Sequence, residues 1–181
     1  RLEGKNQIAI EVRPPAIPYR ETIRKGTTQR GRHKKQSGGH GQFGDVVLDI
    51  KPLPRGTGFQ FTETITGGVV PRQYIQSVDA GVRDYLRTGP LGFPVVDIAV
   101  NLSDGSYHTV DSSDMAFQMA ARIGMKEGMT ACSPVLLEPV MKVEIHTPSE
   151  ATAKVTAIVP QAAAVDPHFG HAPVPASGAP R

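Results

Sequence analysis

Residues 39–44 read Gly-His-Gly-Gln-Phe-Gly, a G-x-G-x-x-G string, and Val46 extends it to the pattern of a kinase phosphate-covering loop. A dinucleotide site needs those glycines between a strand and a helix whose N-terminus meets the pyrophosphate. Here a basic segment precedes them and an alternating, strand-like segment follows. A kinase needs a catalytic H-R-D loop and a D-F-G magnesium ligand, and neither string occurs. No G-x-x-x-x-G-K-[ST] phosphate loop is present, so this chain has no conventional GTP-hydrolysing apparatus. Ser106, His108 and Asp111 have the residue types of a hydrolase triad, but triad members usually converge from separate elements, and these three share one short loop. His168 and His171 sit in an Ala/Pro-rich tail without further ligands or a rigid frame for a metal. Asp97 is expected to face out of a strand and Asp104 to sit in a turn, so they make no acid–base pair. No catalytic residue, metal site or cofactor site is assigned.

The elements that would carry these residues follow from periodicity. Ile8, Ile10 and Val12 alternate with polar or small residues as a half-buried strand, stopped by Pro14 and Pro15. Val46, Leu48 and Ile50 form a second strand, so the glycine-rich loop Ser37–Gly44 joins strands as a hairpin tip would. Pro52–Gly58 reads as a turn, and Phe59 with Phe61 as a short strand. Pro71 suits the first turn of a helix carrying Tyr74, Ile75, Val78, Val82 and Leu86, which Gly89-Pro90 ends. Val96, Ile98, Val100 and Leu102 predict a third strong strand that turns at Asp104-Gly105. Asp111, Ser112 and Ser113 are N-cap candidates for a second helix reaching about Ala131, with Met115, Met119 and Ile123 at four-residue spacing beside Ala116 and Ala120. Met141, Val143 and Ile145 predict a further strand, and Glu150–Val159 a helix start. From Ala162 onward half of the last twenty residues are Ala or Pro, which predicts a flexible tail. The sum is an α+β chain, a two-layer sandwich with two helices on one face of a sheet.

Composition bounds the function. The chain has 181 residues, 39% of them hydrophobic, enough for one full domain. Cys132 is the sole cysteine, which removes an intrachain disulfide and a cysteine zinc cluster and suits a reducing compartment. Without a signal-like apolar core near the start or an apolar run of roughly 20 residues, a soluble cytoplasmic protein with no membrane partner is expected. The net charge of +3 hides a concentration, because seven of the twenty Lys and Arg fall in 20–35 against the single acid Glu21. Beside that basic focus stand two polar tips, Ser37–Gly44 and Ser106–Asp111. His40, Gln42 and His108 could bond bases and 2′-hydroxyls, Phe43 or Tyr107 could stack, and Arg32, Lys34 and Lys35 could neutralise phosphates. On charge and spacing alone, an RNA-contacting end and a solvated hairpin with two ordinary turns both remain open.

Longer strings add a resemblance. Pro18–Ile23, Lys34–Gly44, Gly67–Pro71, Asp104–His108, Val110–Phe117 and Pro134–Met141 resemble, in order and spacing, the C-terminal half of elongation factor G, and the likeness extends over about Ile8–Val159. The resemblance implies that residues 1–15 end the third domain, 16–133 form the fourth, 134–161 start a ferredoxin-like fifth domain that stays incomplete, and 162–181 are a tail foreign to the family. A fragment of a longer factor is therefore expected. The fourth domain in this family has a ribosomal-protein-like fold with a left-handed βαβ crossover. It reaches into the small-subunit decoding centre and promotes tRNA–mRNA translocation. The implied contacts are Gly38, Gly39, His40, Gly41, Gln42, Phe43 and Gly44 on the first tip and Ser106, Tyr107 and His108 on the second, with Arg32, Lys34 and Lys35 on phosphates. His108 matches the histidine converted to diphthamide in the eukaryotic counterpart. The implied partners are small-subunit ribosomal RNA, tRNA, mRNA and the parent's GTPase domain, where GTP and Mg would bind. His40 stands where the family usually has Arg and Phe43 where Tyr is common, so a divergent paralogue or a ribosome-protection relative is the alternative expectation.

Overall fold

A computed structural model of the chain describes residues 16–36, 38–140 and 152–154. The chain divides into two compact units at Val140/Met141. In the second, Thr152–Lys154 are helical. The expected strands at Ile8–Val12 and Met141–Ile145 and the tail 162–181 lie outside the described residues.

In the first unit the order is β1 (Arg20–Ile23), β2 (Thr27–Lys35), β3 (Gln42–Pro52), β4 (Phe59–Glu63), α1 (Arg72–Leu86), β5 (Ile98–Ser106), α2 (Asp114–Ala131) and β6 (Pro134–Leu137). Strands β2, β3, β5 and β4 form one sheet in that order. The first two pairings are antiparallel and β4–β5 is parallel, so β4, α1 and β5 make a βαβ unit. β1 and β6 pair antiparallel as a separate two-stranded sheet.

Period-2 alternation explains the sheet's two faces. Val46, Leu48, Ile50, Ile98, Val100 and Leu102 are fully buried on the side that receives Val78 and Val82 of α1 and Phe117 and Met125 of α2. At about 1.5–3 kcal/mol for each large apolar side chain removed from water, that layer holds the domain together. The opposite face carries Thr28, Arg30, Arg32 and Lys34 of β2 and Gln60 and Thr62 of β4, all exposed. A polar rung crosses that face through all four strands. Thr28 Oγ1 donates to Asp49 Oδ1 (2.7 Å), Asn101 Nδ2 to Asp49 Oδ2 (3.3 Å), and Thr62 Oγ1 to Asn101 Oδ1 (3.0 Å).

Several expectations change. The basic segment 20–35 is two strands, and β2 forms an edge whose charged side chains discourage pairing with another chain. Asp104-Gly105 is no turn. β5 runs through it with a register shift opposite Val47/Leu48, and Gly105 is required because a Cβ there would strike the Asp45 carbonyl and Val70 Cγ2 (2.6 Å). Asp97, expected to face outward, is buried with φ 58°, and its Oδ1 accepts from Gly58 N at 2.9 Å. The strand therefore starts at Ile98, not Val96. Pro71 is the N-cap of α1 rather than its first residue. The buried stripe of α2 is Ala116, Phe117, Ala120, Ala121, Gly124, Met125, Gly128 and Met129, whereas Met115 is 58% exposed. The reason is the close approach of β2 and β3. At Gly31 a Cβ would overlap the Ala120 carbonyl oxygen and lie 2.5 Å from Gly124 N, and at Gly44 it would lie 2.5 Å from the Ala116 carbonyl oxygen. Only the small-residue face of α2 fits there. Cys132 is buried as expected, and burial pushes its thiol pKa up.

β1 is tied to the loop after α1. Glu21 N donates to Pro94 O (2.9 Å) and Glu21 O accepts from Val96 N (2.9 Å). The Glu21 carboxylate, fully buried, accepts from Leu91 N (2.8 Å) and Phe93 N (3.4 Å) on one oxygen and has no partner on the other.

Candidate nucleic-acid interface

The β2–β3 hairpin tip and the β5–α2 loop meet at one end of the sheet, because β3 begins where β5 ends: Asp45 pairs with Ser106. Asp111 and Ser112 clasp the two loops. Gly41 N donates to Asp111 Oδ1 (3.1 Å) and Phe43 N to Asp111 O (2.8 Å). Ser112 Oγ donates to Phe43 O (2.9 Å) and accepts from His108 N (2.9 Å). Ser113 then caps α2, its side chain accepting from Ala116 N at 3.1 Å, and Asp114 of the first turn takes a bond from Ser77 Oγ of α1 at 2.8 Å. Three consecutive residues thus close the tip joint and start a helix. A Cβ at position 41 would lie 2.9 Å from Asp111 Cγ, so a larger residue there would push the Asp111 side chain out of the clasp.

Gly38, Gly39 and His40 are exposed at the outermost part of the first tip, with Gly38 in the left-handed region at φ 46°. Gln42 turns to the helix side of the sheet, its Oε1 2.8 Å from His33 Nε2. Phe43 is half-buried on the open side, between the Arg32 guanidinium (5.9 Å to the ring centre) and the His108 ring (6.3 Å between centroids). Tyr107, 45% exposed, is the freer aromatic surface. His108 is exposed. The amides of Val110 and Asp111 lie 3.4 Å from its Nδ1, which sets that nitrogen toward the loop and leaves Nε2 free to meet a partner. Asp111 Oδ2 stands 3.5 Å from the same Nδ1.

Two predicted contact residues serve the frame instead. Gly44 is buried inside β3 against α2, where only a glycine fits. Ser106 ends β5, and its hydroxyl donates to Asp45 Oδ2 at 2.6 Å rather than to His108, so the triad types in this loop do not assemble. The second tip accordingly runs from Tyr107 to Ser113. Of the basic residues, Arg32 and Lys34 share the open face, while Lys35 lies on the helix side with His33 and Gln29, whose Nε2 donates to Glu127 Oε2 of α2 at 3.0 Å.

Sequence reasoning missed Asp45 and Arg30. Asp45 is fully buried beneath the β2 side chains. It accepts two bonds from Arg30, Nε at 2.8 Å and Nη2 at 2.7 Å, one from Ser106 and a longer one from Arg32 Nη2 at 3.4 Å. Burial works to raise its pKa, but the bonds from Arg30, Ser106 and Arg32 outweigh it and hold the carboxyl below the usual range. The signal that could have found Arg30 is the i, i+2 spacing of Arg30, Arg32 and Lys34. It was hidden because a strand with one buried glycine and otherwise polar side chains has no apolar alternation.

The domain has one covered sheet face and two clasped, polar, basic-flanked tips, and comparison with known proteins fixes its family. The sequence profile described as elongation factor G, domain IV, matches residues 15–133. The chain belongs to the elongation factor G family and carries its domain IV. It is 60% identical over 159 residues to an elongation factor G-like protein of Synechocystis, covering 88% of this chain and 24% of that protein. It is 51% identical over 151 residues to an elongation factor G-like protein of Thermotoga maritima, covering 83% and 22%. The chain thus spans about a quarter of the length of these curated relatives. A crystal structure from Thermus thermophilus superposes with a TM-score of 0.64 at 46% identity, over 67% of this chain and 18% of that one. Among the described residues no helix is long and apolar enough to cross a membrane.

Proposed function

We propose that this chain is the ribosome-probing part of a longer translational GTPase, whose clasped tips enter the decoding centre of the small subunit and promote tRNA–mRNA translocation. The observation that carries the reading is the Asp111–Ser112 clasp: it holds Gly38–Phe43 and Tyr107–His108 together as one firm, polar, uncharged-to-basic end. Firmness matters, since a tip ordered before contact does not lose conformational entropy on entering a crowded cavity. His40, Tyr107 and His108 supply donors, acceptors and a stacking ring for RNA bases and 2′-hydroxyls, and Arg32, Lys34 and Lys35 supply phosphate contacts. Gln42 acts through His33, to which it is bonded. The chemistry of GTP and Mg belongs to a domain of the parent outside this chain, and the action here is steric and electrostatic in the cytoplasm.

The test uses the full-length parent carrying His108→Ala and Gln42→Ala. Translocation should slow by at least about tenfold, the loss of one or two hydrogen bonds to a charged or tightly packed partner, with multiple-turnover GTP hydrolysis on ribosomes nearly unchanged. Equal loss of both activities would refute the assignment. A second reading, a divergent paralogue of elongation factor G, is compatible with the name that the relatives carry, elongation factor G-like protein. On that second reading the parent binds ribosomes but fails to restore translocation to an extract depleted of the principal factor.

A further inference from the structure

The open face of the sheet carries a basic row that runs back from the tips, adding Arg30 to the Arg32 and Lys34 already assigned to phosphates. Arg30, Arg32 and Lys34 alternate along β2 on the side away from the helices, which is fixed by Gly31 packing on Ala120 and by Gln29 bonding Glu127 from the other side. Two residues of strand separate neighbours in the row, roughly 6.6 Å. The row ends at Phe43, opposite Lys34 and beneath Arg32, where the tips begin. The acids of this face, Asp45 and Asp49 on β3 and Asp104 on β5, lie inboard of the edge. Positive charge therefore lines the rim of the sheet and negative charge its middle, so a polyanion is drawn along the edge and repelled from crossing the face.

Asp45 is what makes the row more than a wet set of charges. Its buried carboxylate takes Nε and Nη2 of Arg30 in a fork and reaches Arg32 Nη2, while both arginine side chains remain about half exposed, at 54% and 53%. The guanidinium plane of Arg30 is held by two bonds and Arg32 is tethered at one nitrogen, and Nη1 of Arg30 and the remaining donors of Arg32 are left unpaired by Asp45 for an incoming acceptor. Fixed forks of this type suit phosphate oxygens and lose less rotamer freedom on binding than free arginines do.

We infer that the β2 edge is a second RNA surface, a phosphate track on which Arg30, Arg32 and Lys34 hold successive phosphates of one RNA strand leading to the tips, with Asp45 as the positioning residue. The inference rests on the ribosomal reading above and names the path of its RNA beyond the tips. Phe43 at the end of the track offers a ring to a base, the combination of basic groove and aromatic platform that single strands use.

The experiment measures binding of the 181-residue chain to a fluorescent twelve-nucleotide uridylate over a salt series. Each single-strand phosphate contact contributes about −0.7 to the slope of log K against log salt. The triple variant R30A/R32A/K34A should flatten the slope by about 2. The control R24A/K25A/K126A removes the same formal charge from elsewhere and should leave the slope within about 0.5 of wild type. Equal flattening by both would overturn the track while leaving RNA binding intact. Absence of any salt-dependent binding by the wild-type chain would overturn the track and count against the RNA reading itself. Asp45→Asn separates positioning from charge by sign. Removing a negative charge should tighten RNA binding if charge alone mattered, whereas loss of positioning weakens it, by about threefold or more. Arg30→Lys keeps the charge and the fold but loses the fork, and should weaken binding similarly at unchanged slope. Tighter binding by D45N, or wild-type affinity in R30K, would refute the role of Asp45.

Discussion

Asp111→Ala isolates the joint between the tips. The substitution removes the hydrogen bond from Gly41 N to Asp111 Oδ1 at 3.1 Å, and with it the 3.5 Å contact of Oδ2 with His108, and leaves the bond from Phe43 N to the Asp111 carbonyl, because that uses backbone. A bond to a charged acceptor contributes about 1.5–3 kcal/mol. The Asp111 side chain is 23% exposed, so water competes for it and the lower end of that range applies. About 1.4 kcal/mol is a factor of ten. Amide exchange of Gly41 should therefore accelerate about tenfold, while amides of the core strand such as Val46 and Leu48 keep their protection, since the opening is local. Asp111→Asn retains an acceptor oxygen without its charge and should cost about 0.5 kcal/mol, a two- to threefold acceleration. The assay is residue-resolved hydrogen exchange by NMR on the three proteins. If the Asn and Ala variants accelerate Gly41 equally, or if wild-type Gly41 already exchanges as fast as exposed His40, the clasp is not what orders the first tip.

Two further outcomes concern the frame. Gly31→Ala places a Cβ against backbone atoms of Ala120 and Gly124 that have no free end to swing away, so it should destabilise the domain by at least about 3 kcal/mol in urea unfolding. Gly56→Ala, with φ 85° and open space around it, should cost only about 1 kcal/mol; equal losses would contradict the helix–sheet contact described here. Glu21 sits above the ordinary glutamate pKa because burial opposes its charge more than the amides of Leu91 and Phe93 support it. A carboxyl with a raised folded pKa binds its proton more tightly in the native state. The stability it confers is full below the ordinary value and is lost as pH rises through the raised one. Glu21→Gln should abolish that decline and leave the variant the more stable protein on its neutral side, read from urea midpoints across pH. A variant that loses stability in parallel with wild type would show that Glu21 does not carry the slope. Asp45 has the opposite sign, losing its contribution as pH falls through its depressed value, so the comparison is made above the acid range.

What the sequence made legible is what one-sided burial writes into it. β3 and β5 were readable because every second residue from Val46 to Ile50 and from Ile98 to Leu102 enters the core. Helix α1 was readable for the same reason at period 3.6. β2 was not, because its buried positions contribute a glycine rather than a large apolar side chain. The face of α2 misled for a related reason: Met115, Met119 and Ile123 recur at helical spacing with long apolar side chains, but β2 and β3 come too near for such side chains, and Ala116, Ala120, Gly124 and Gly128 fit there instead. Asp104-Gly105 carried a turn signal although its glycine answers a steric demand from Asp45 and Val70. The candidate site was half legible. The tips declared themselves through glycine, histidine and local charge, but the clasp joins Gly41 to a residue 70 positions away, and the Asp45 network depends on which strand face each side chain takes.

These misses share a cause that bears on how the domain works. The glycines that hide α2's packing from a sequence reading are what let the helix lie close over β2 and β3, with its first turn immediately behind the tips. Asp111, Ser112 and Ser113 then serve in succession as clasp to Gly41, clasp to Phe43 and cap of α2. A force on either tip therefore meets the N-terminus of an 18-residue helix braced by α1 through Ser77 and Asp114, not a free loop. Were the helix set back by even one methyl group at Gly31 or Gly44, residues 111–113 would have to choose between capping the helix and closing the joint. Rigidity at the tip is in this sense a consequence of close packing in the body, and loosening the body should soften the probe before it unfolds the domain.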